Sequence, residues 1–339
     1  MRRPVERRRP AGWLGAVSAP VPGGGGGTPA FLLFSLLALP LSAQTDTIVA
    51  GVLGDSSIVA PVVSWNRSAA NGDTLDFTLN GWTISAEGTR RRSPRGRGVV
   101  SLAITPLNAH SSDRIYVDGT RDKAREFDAS TVEATFGRID TFTHWVSDVR
   151  LVALYERVDD PFWSSPFAGI RTRQAWRRIT SEDPLLLTFE GSEIGAAAEV
   201  FAGSHTWSRV RLDQRFSRRW GRVRAGESAT AFRGSSIDTV NAFLVGGSWP
   251  VGELRPLYGY RYAELRLDRG VGVNVDASVA MTPSFILGAH AGALRSRDLD
   301  ARGVAMDVTA SWRGIGFRVG VGHGEETIVY GSILAARFR

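Results

Sequence analysis

Histidine is the side chain best suited to proton transfer near neutral pH, and this chain contains five. None forms an H-E-x-x-H pair or another common metal-ligand spacing, and the absence of cysteine excludes thiolate catalysis and disulfides. His205 follows Ser204 in the sequence, but a nucleophile and its base must be neighbours in space. The sequence therefore predicts no metal site, no cofactor and no recognisable hydrolase motif.

One histidine, His290, lies on a clearly polar face of its segment. Acidic, amide and basic residues occupy the corresponding face of neighbouring segments, so an ion-pair cluster can form around this ring. The cluster is open to two interpretations, a satisfied structural network or a catalytic group, and the first is the more frequent outside a defined cleft. We therefore expect five residues to line a polar interior, namely Asn274, Asp276, His290, Asp307 and Arg318.

The segments that carry these residues have the two-residue period of β-strands. Between Val271 and Met281 apolar residues occupy every second position, and Gly, Asn, Asp and Ser fill most of the positions between them. The same alternation recurs in residues 285–293, 304–312 and 315–321. Each segment is thus predicted to be a strand with one apolar and one polar face.

Short links join these strands into predicted hairpins. Thr282-Pro283-Ser284 would form a three-residue loop that pairs Met281 with Phe285, and Arg313-Gly314 a two-residue loop that pairs Trp312 with Ile315. In both hairpins the apolar sets stay on one side of the sheet. The last strand is predicted to carry one further set on a single face, Ile328, Tyr330, Leu334, Ala336 and Phe338.

The earlier part of the chain repeats the pattern less regularly. Leu75, Phe77 and Leu79 alternate before Asn80-Gly81, a strong hairpin signal that would pair Leu79 with Trp82. Further strands are predicted near residues 98–106, 126–138, 142–157, 220–232, 238–249 and 254–267. Residues 184–202 fit strands or a short helix. Residues 159–182 have no clear period and are predicted to be a long loop, functional or folded into the lumen.

Residues 1–43 have the three zones of a secretory signal. Five arginines precede an apolar run from Phe31 to Leu39, and Leu41-Ser42-Ala43 supplies the small residues of a cleavage site. The run is too short to span a bilayer as a helix, and no later stretch is long enough. We therefore expect a leader and signal over 1–43 and a single domain over 44–339, which crosses a membrane as strands if at all.

Alternation alone fits a β-sandwich as well as a barrel, and the polar face separates the two. Gly, Asn, Asp, His and Arg crowd that face, as in the lumen of a transmembrane barrel, and the whole chain has a single lysine, Lys123. Segments of about ten residues also match the span of a tilted transmembrane strand better than the usual length of a soluble one.

With a signal ending Leu41-Ser42-Ala43, alternating C-terminal strands and a terminus Arg337-Phe338-Arg339, the chain resembles bacterial outer-membrane β-barrel proteins. That class usually ends on the aromatic residue itself. The resemblance implies insertion by the barrel-assembly machinery and an antiparallel up-and-down barrel of about 14–18 strands. The links 282–284 and 313–314 would then face the periplasm and the longer links 297–301 and 323–326 the exterior.

Aromatic and basic residues near predicted turns have two interpretations each. The aromatic ones fit an interfacial girdle or ordinary sheet packing, and they are Trp65, Trp82, Trp220, Trp249, Trp312, Tyr258, Tyr330 and Phe338. An arginine-rich surface loop would point outward to anionic lipopolysaccharide or be simply solvated, and its basic residues are Arg90, Arg91, Arg92, Arg95 and Arg97.

Charge argues against nucleic acid as a partner. The chain carries a net charge of +7, but residues 1–43 hold five arginines and one acidic residue, which leaves only +3 for the rest.

The leading hypothesis is an outer-membrane barrel that is a passive pore for small solutes or a structural surface protein. In a pore, lumenal arginines would favour anions, and the candidates are Arg209, Arg211, Arg222, Arg224, Arg261 and Arg318. The alternatives are a soluble secreted β-protein that binds a ligand and an outer-membrane lipid hydrolase.

Overall fold

The structure is a computed structural model. It describes residues 44–338 except 56–58, 82, 107–115, 118–119, 122–128, 160–161, 184–187, 238–239, 248–256, 262–264 and 298. The predicted leader and signal over 1–43 lie outside the described residues. Within the part of the chain that is described, no helix is long and apolar enough to cross a membrane.

Sixteen antiparallel strands form a closed barrel, within the predicted range and with the predicted up-and-down order. The barrel strands are β1 (Gln44–Asp55), β2 (Val59–Ala69), β3 (Thr74–Asn80), β4 (Thr83–Arg91), β5 (Gly96–Thr105), β8 (Ala129–Thr141), β9 (Trp145–Asp159), β10 (Phe162–Asp183), β11 (Thr188–Ala202), β12 (Thr206–Trp220), β13 (Val223–Ser235), β16 (Arg269–Thr282), β17 (Phe285–Arg295), β18 (Asp300–Trp312), β19 (Ile315–His323) and β20 (Thr327–Phe338). Two short hairpins lie outside the barrel sheet, β6 (Tyr116–Val117) with β7 (Thr120–Arg121), and β14 (Phe243–Val245) with β15 (Leu265–Leu267).

The two ends of the barrel differ. We call one the turn end, because seven short connections lie there, from β2–β3 to β18–β19, beside the start of β1 and the end of β20. The opposite loop end carries the two long connections, residues 106–128 between β5 and β8, and residues 236–268 between β13 and β16. The hairpin turns at 283–284 and 313–314 are at the turn end, as the sequence predicts.

Apolar side chains point outward and polar ones inward. Val273, Met306 and Val319 are 46%, 67% and 62% exposed on the outer surface, whereas Asn274 and Asp307 on the inner face are 8% and 7% exposed. This orientation is the reverse of a soluble sandwich, in which the apolar faces pack against each other. The molecule therefore presents a continuous apolar exterior around a polar interior.

The hairpin details differ from the prediction in two places. Thr282 rather than Met281 pairs with Phe285, and the register shift between Ala280 and Thr282 leaves Met281 as an extra residue. Because the bulge absorbs one residue, both apolar faces still look outward. Arg313 and Gly314 have the positive φ angles of the predicted two-residue turn, 49° and 80°, and Trp312 pairs with Ile315 as predicted.

The hairpin near Asn80 turns one residue later than predicted. Asn80 pairs with Thr83, so Leu79 lies opposite Ile84 and not Trp82, which is outside the described residues. Leu79 and Ile84 were predicted to lie on the same face of the sheet, and they still do, because they are directly paired.

In the last strand, β20, the predicted apolar face does not form part of the outer surface. Ile328, Tyr330 and Leu334 share one face, as predicted, but that face looks into the barrel and leaves them 2%, 2% and 4% exposed. Val329 and Ile333 point outward instead, at 59% and 49% exposure. In β20 both faces are apolar, so the alternation itself could not tell the two apart.

Two other parts of the chain differ from their predictions, and one open alternative is resolved. Residues 162–183, most of which fall in the predicted loop 159–182, form β10, the longest strand, whose Arg171, Arg173 and Arg177 face inward and hide the apolar period. Residues 188–202, for which strands and a short helix were both open, are the strand β11. The barrel strands predicted near 238–249 and 254–267 are wrong, because the described parts of 236–268 contain only the short β14 and β15.

A charged side chain introduced on the outer wall tests whether that wall faces lipid or water. We expect Leu151→Arg, at a position 60% exposed in the middle of β9, to lower the free energy of unfolding by about 2–4 kcal/mol in a bilayer. The control is Ser217→Arg on the inner face of β12, which should cost much less. Urea unfolding in lipid vesicles, followed by tryptophan fluorescence, measures both. Equal costs would contradict a lipid-facing exterior.

Candidate functional site

The long connection between β13 and β16 folds into the barrel. We call residues 236–268 the inner segment, of which 236–237, 240–247, 257–261 and 265–268 are described. Its apolar side chains bury themselves against the inner wall in one cluster, formed by Phe243, Val245, Leu257 and Tyr260 with Phe232, Leu294 and Ala301 of the strands. The lumen is thus partly filled by a packed apolar core.

Glycines of the wall provide the space for this core. The backbone of Tyr258 lies against Gly303 of β18 so closely that a Cβ there would collide with the Tyr258 carbonyl oxygen. The backbone of Gly259 lies against Gly322 of β19, and Leu257 lies against Gly292 of β17. The glycine-rich inner faces of these strands therefore form the seat on which residues 257–259 rest.

A polar network lies beside the seat and includes most of the predicted interior residues. The Tyr258 hydroxyl donates to Oδ1 of Asp276 at 2.7 Å, and Nδ1 of His290 lies 2.5 Å from the same oxygen. The Tyr258 and His290 rings are stacked with centroids 4.7 Å apart. This arrangement ties the inner segment to β16 and β17.

The same histidine continues the network to β18 and β19. Nε2 of His290 lies 2.8 Å from Oδ2 of Asp307, which also accepts a hydrogen bond from Nε of Arg318 at 2.8 Å. The hydroxyl of Tyr330 on β20 donates to that carboxylate at 3.1 Å. Five neighbouring strands and the inner segment are therefore joined by a single set of contacts. We call Tyr258, Asp276, His290, Asp307, Arg318 and Tyr330 the latch.

The electrostatics of the latch favour a structural role over proton transfer. Burial, reinforced by the charge of Asp276, raises the pKa of Tyr258 well above its ordinary value, so its hydroxyl stays protonated and donates. Both ring nitrogens of His290 contact carboxylates, which leaves neither directed at an open space. Asn274 also faces inward, close to Gly292 of the seat. Among the described residues no group of three or more potential ligands could hold a metal ion.

The inner segment also reaches the opposite wall. Nδ2 of Asn241 donates to Oε2 of Glu156 on β9 at 3.3 Å, and the Asn241 carbonyl accepts from Arg209 on β12 at 3.4 Å. Ile237 packs against the aromatic cluster around Phe201 and Trp207, whose rings are stacked 4.4 Å apart. The segment therefore spans the lumen from β16–β20 to β9–β12 near the loop end.

Most lumenal arginines are neutralised by carboxylates. Arg171 pairs with both Glu133 and Glu199, each at 2.7 Å, and Arg209 pairs with the second oxygen of Glu199 at 2.7 Å. Four of the five other arginines named as candidates for anion selectivity are paired as well, Arg211 with Asp213, Arg224 with Glu190, Arg261 with Glu326 and Arg318 with Asp307. Arg222 lies in the β12–β13 turn.

One inner-wall cluster has an excess of positive charge. Arg173 and Arg177 of β10 lie 3.1 and 3.0 Å from Oε1 of Glu193, and Arg215 of β12 lies 2.7 Å from Oε2. Three guanidinium groups thus share one carboxylate, and their side chains are 51%, 37% and 39% exposed to the lumen. Sequence patterning missed this cluster because it could not assign β10. The inward spacing of the three arginines was its only signal.

The predicted surface arginines lie at the other end of the molecule from the one expected. The β4–β5 connection that carries Arg92 and Arg95 is at the turn end, with the links 283–284 and 313–314. The expected orientation was wrong, because the strands between these two regions were not all assigned correctly from the sequence. The arginines are exposed, and three of them, Arg90, Arg91 and Arg92, line a pocket of about 390 Å³ with Asn71 and Asp73.

Solved structures that share this architecture are bacterial outer-membrane β-barrels. BamA from Haemophilus ducreyi lacking POTRA domains 1–3 aligns with a TM-score of 0.64 and 6% identity, over 87% of this chain and 70% of that one. CdiB from Acinetobacter baumannii aligns with a TM-score of 0.55 and 10% identity, over 88% and 60%. CdiB from Escherichia coli aligns with a TM-score of 0.58 and 11% identity, over 88% and 64%.

The chain therefore spans less than two thirds of the length of both CdiB chains. No protein-family model matches the chain, and no curated protein matches it. At these identities the likeness establishes the fold, which is that of an outer-membrane β-barrel.

Removing the buried Asp307 carboxylate tests how much the latch contributes to the stability of the protein. We expect Asp307→Ala to lower the free energy of unfolding by about 3–5 kcal/mol, because Arg318 then stays buried without its carboxylate. Asp140→Ala is the control. It breaks an ion pair with Arg138, whose side chain is 67% exposed, and should cost at most about 1 kcal/mol. Urea unfolding in vesicles measures both, and similar losses would show that the latch is not a buried network.

Proposed function

We propose that the protein is an outer-membrane pore for small solutes whose lumen is obstructed by the inner segment. In this proposal the chain is exported by its signal, inserted by the barrel-assembly machinery and surrounded by outer-membrane lipid. The observation that carries the proposal is the packed inner segment inside a sixteen-stranded barrel. Barrels of this strand number enclose a lumen wide enough for water, so an additional element is needed to restrict it.

The restriction is anchored on two sides. The latch and the glycine seat attach the inner segment to β16–β20, and Asn241 attaches it to Glu156 on the facing wall. The latch lies near the middle of its strands, whereas Gly303, Gly322 and Glu156 lie towards the loop end. The loop end faces the exterior if the barrel has the short periplasmic turns of its class. On that assignment the arginine-rich β4–β5 loop faces the periplasm, so it is not a candidate to contact lipopolysaccharide.

A solute path is supported along β10–β12 towards the turn end. There the inner-wall side chains remain partly exposed, in contrast to the buried seat. The cluster around Glu193 carries two more positive than negative charges, and positively charged rings in pores favour anions. The proposed solutes are therefore small anions, selected by Arg173, Arg177 and Arg215.

Two observations favour this pore over the alternatives, a soluble ligand-binding protein and a lipid hydrolase. A soluble ligand-binding protein would expose to water an outer wall on which Met306 and Val319 are more than half exposed. A hydrolase built on His290 would need a ring nitrogen directed at a substrate, and both nitrogens contact carboxylates.

Displacing the inner segment should open the pore. We expect Gly303→Val to push Tyr258 off the wall and to give larger conductance steps than the wild type in planar bilayers. Gly195→Val is the matched control, because a Cβ at this inner-wall position would lie 3.5 Å from its nearest atom, the Gln174 carbonyl oxygen, and so meets only ordinary van der Waals contact. A variant in which a short Gly-Ser linker replaces residues 240–264 should conduct most. Absence of steps in all four proteins would refute the pore.

Anion preference should depend on the cluster around Glu193. In the conducting Gly303→Val background we expect Arg173→Gln, Arg177→Gln and Arg215→Gln together to move the anion-to-cation permeability ratio towards one or below. The reversal potential in a potassium chloride gradient measures this ratio. A control with Arg90→Gln, Arg91→Gln and Arg92→Gln removes equal charge from the β4–β5 region. If that control shifted the ratio as far, selectivity would not reside in the cluster.

A further inference from the structure

Outward-facing aromatic side chains gather towards one end of the barrel. Most of those described lie in the half of their strand nearest the turn end or in its connections, namely Trp65, Phe136, Phe142, Trp145, Trp176, Phe216, Trp220, Phe285, Trp312 and Phe317. Among the described outward residues, Tyr155 is the aromatic one that lies clearly towards the loop end. The described outer wall there is instead mainly aliphatic, with residues such as Val59, Val200 and Val304.

Arginines stack on the aromatic rings at this end. The guanidinium carbon of Arg313 lies 4.8 Å from the ring centroid of Trp312, and that of Arg67 lies 5.0 Å from Trp65. Arg218 over Trp220 and Arg95 over Phe142 follow at 5.6 and 5.7 Å. We call these eight residues the aromatic–arginine band.

Packing within the protein does not account for the band. Trp312 and Trp220 are 62% and 50% exposed on the outer surface. Among the described residues no carboxylate forms an ion pair with Arg95, Arg218 or Arg313, whereas Arg67 pairs with Asp46. A large apolar ring beside an unneutralised cation is suited to a boundary that is apolar on one side and anionic on the other.

The headgroup region of a bilayer is such a boundary. Tryptophan concentrates there because its ring is amphipathic, and arginine extends from the apolar wall to place its charge among the headgroups. A guanidinium group binds the oxygens of a phosphate with two hydrogen bonds, and stacking on a ring holds it ready for that contact. Basic residues near a membrane surface attract anionic lipids in particular.

We propose that the aromatic–arginine band binds the phosphate groups of anionic phospholipids in the leaflet that surrounds the turn end. The aromatic rings pack against the glycerol and upper acyl region, and Arg95, Arg218 and Arg313 hold the phosphates, whereas the charge of Arg67 is neutralised by Asp46. Among the described residues the outer surface at the loop end lacks this arrangement, so the described parts of the barrel present different chemistry to the two leaflets. This inference rests on the proposed membrane barrel.

The test uses the full barrel folded into nanodiscs of equimolar phosphatidylcholine and phosphatidylglycerol. Native mass spectrometry then counts the phosphatidylglycerol molecules that stay bound after release from the disc. We expect the wild type to retain phosphatidylglycerol, and the triple variant Arg95→Gln, Arg218→Gln and Arg313→Gln to lose this preference about tenfold or more. The control Arg233→Gln, Arg295→Gln and Arg302→Gln removes the same charge from the outer surface at the loop end.

The outcomes separate the two proposals. Retention by the wild type and the control but not by the band variant supports the lipid site. Equal retention by all three proteins, or no preference for phosphatidylglycerol in any, overturns it and leaves the membrane barrel intact. Failure of the wild type to insert into bilayers would instead refute the proposed membrane function, and the lipid site with it.

Discussion

Closure of the sheet between β1 and β20 is the constraint on which the other features depend. The first and last strands pair in continuous register from Thr47 with Phe338 to Asp55 with Tyr330. Inside a bilayer no water is present to form hydrogen bonds with an exposed strand edge. A β-sheet with an apolar exterior must therefore close into a barrel. Once sixteen strands have closed, each strand divides its residues between lipid and an interior, and the interior becomes wide enough to hold further structure.

That interior explains why the inner faces contain both glycine and charge. Gly303 and Gly322 leave space for the backbone of Tyr258 and Gly259, and the adjacent Asp307 and Arg318 join the strands around His290. Buried charges are tolerated there because each has a partner at hydrogen-bond distance. The segment that restricts the lumen and the network that holds it are therefore parts of one packing arrangement.

Patterning alone predicted the C-terminal strands well, because there one face is uniformly apolar and each hairpin has its own turn signal. It failed where inward residues obscure the period. In β10 the arginines 171, 173 and 177 made a strand resemble a loop. In β20 apolar Ile328 and Leu334 face inward, and Leu334 joins the interior cluster with Tyr258. Local alternation cannot distinguish such a buried face from one in contact with lipid. The loop that enters the lumen was for the same reason read as two barrel strands.

The sequence by itself determined the fold class, the approximate number of strands and the side of strands β16–β19 that faces outward, because a two-residue period records the two environments of a strand directly. Only the tertiary structure decided which connection enters the barrel and at which end the arginines and aromatic rings collect. It also decided that three arginines meet at Glu193 and that Tyr258 and Tyr330 join the predicted cluster around His290. These features depend on the total count of strands and on their register around the closed sheet, which no single segment of the chain contains.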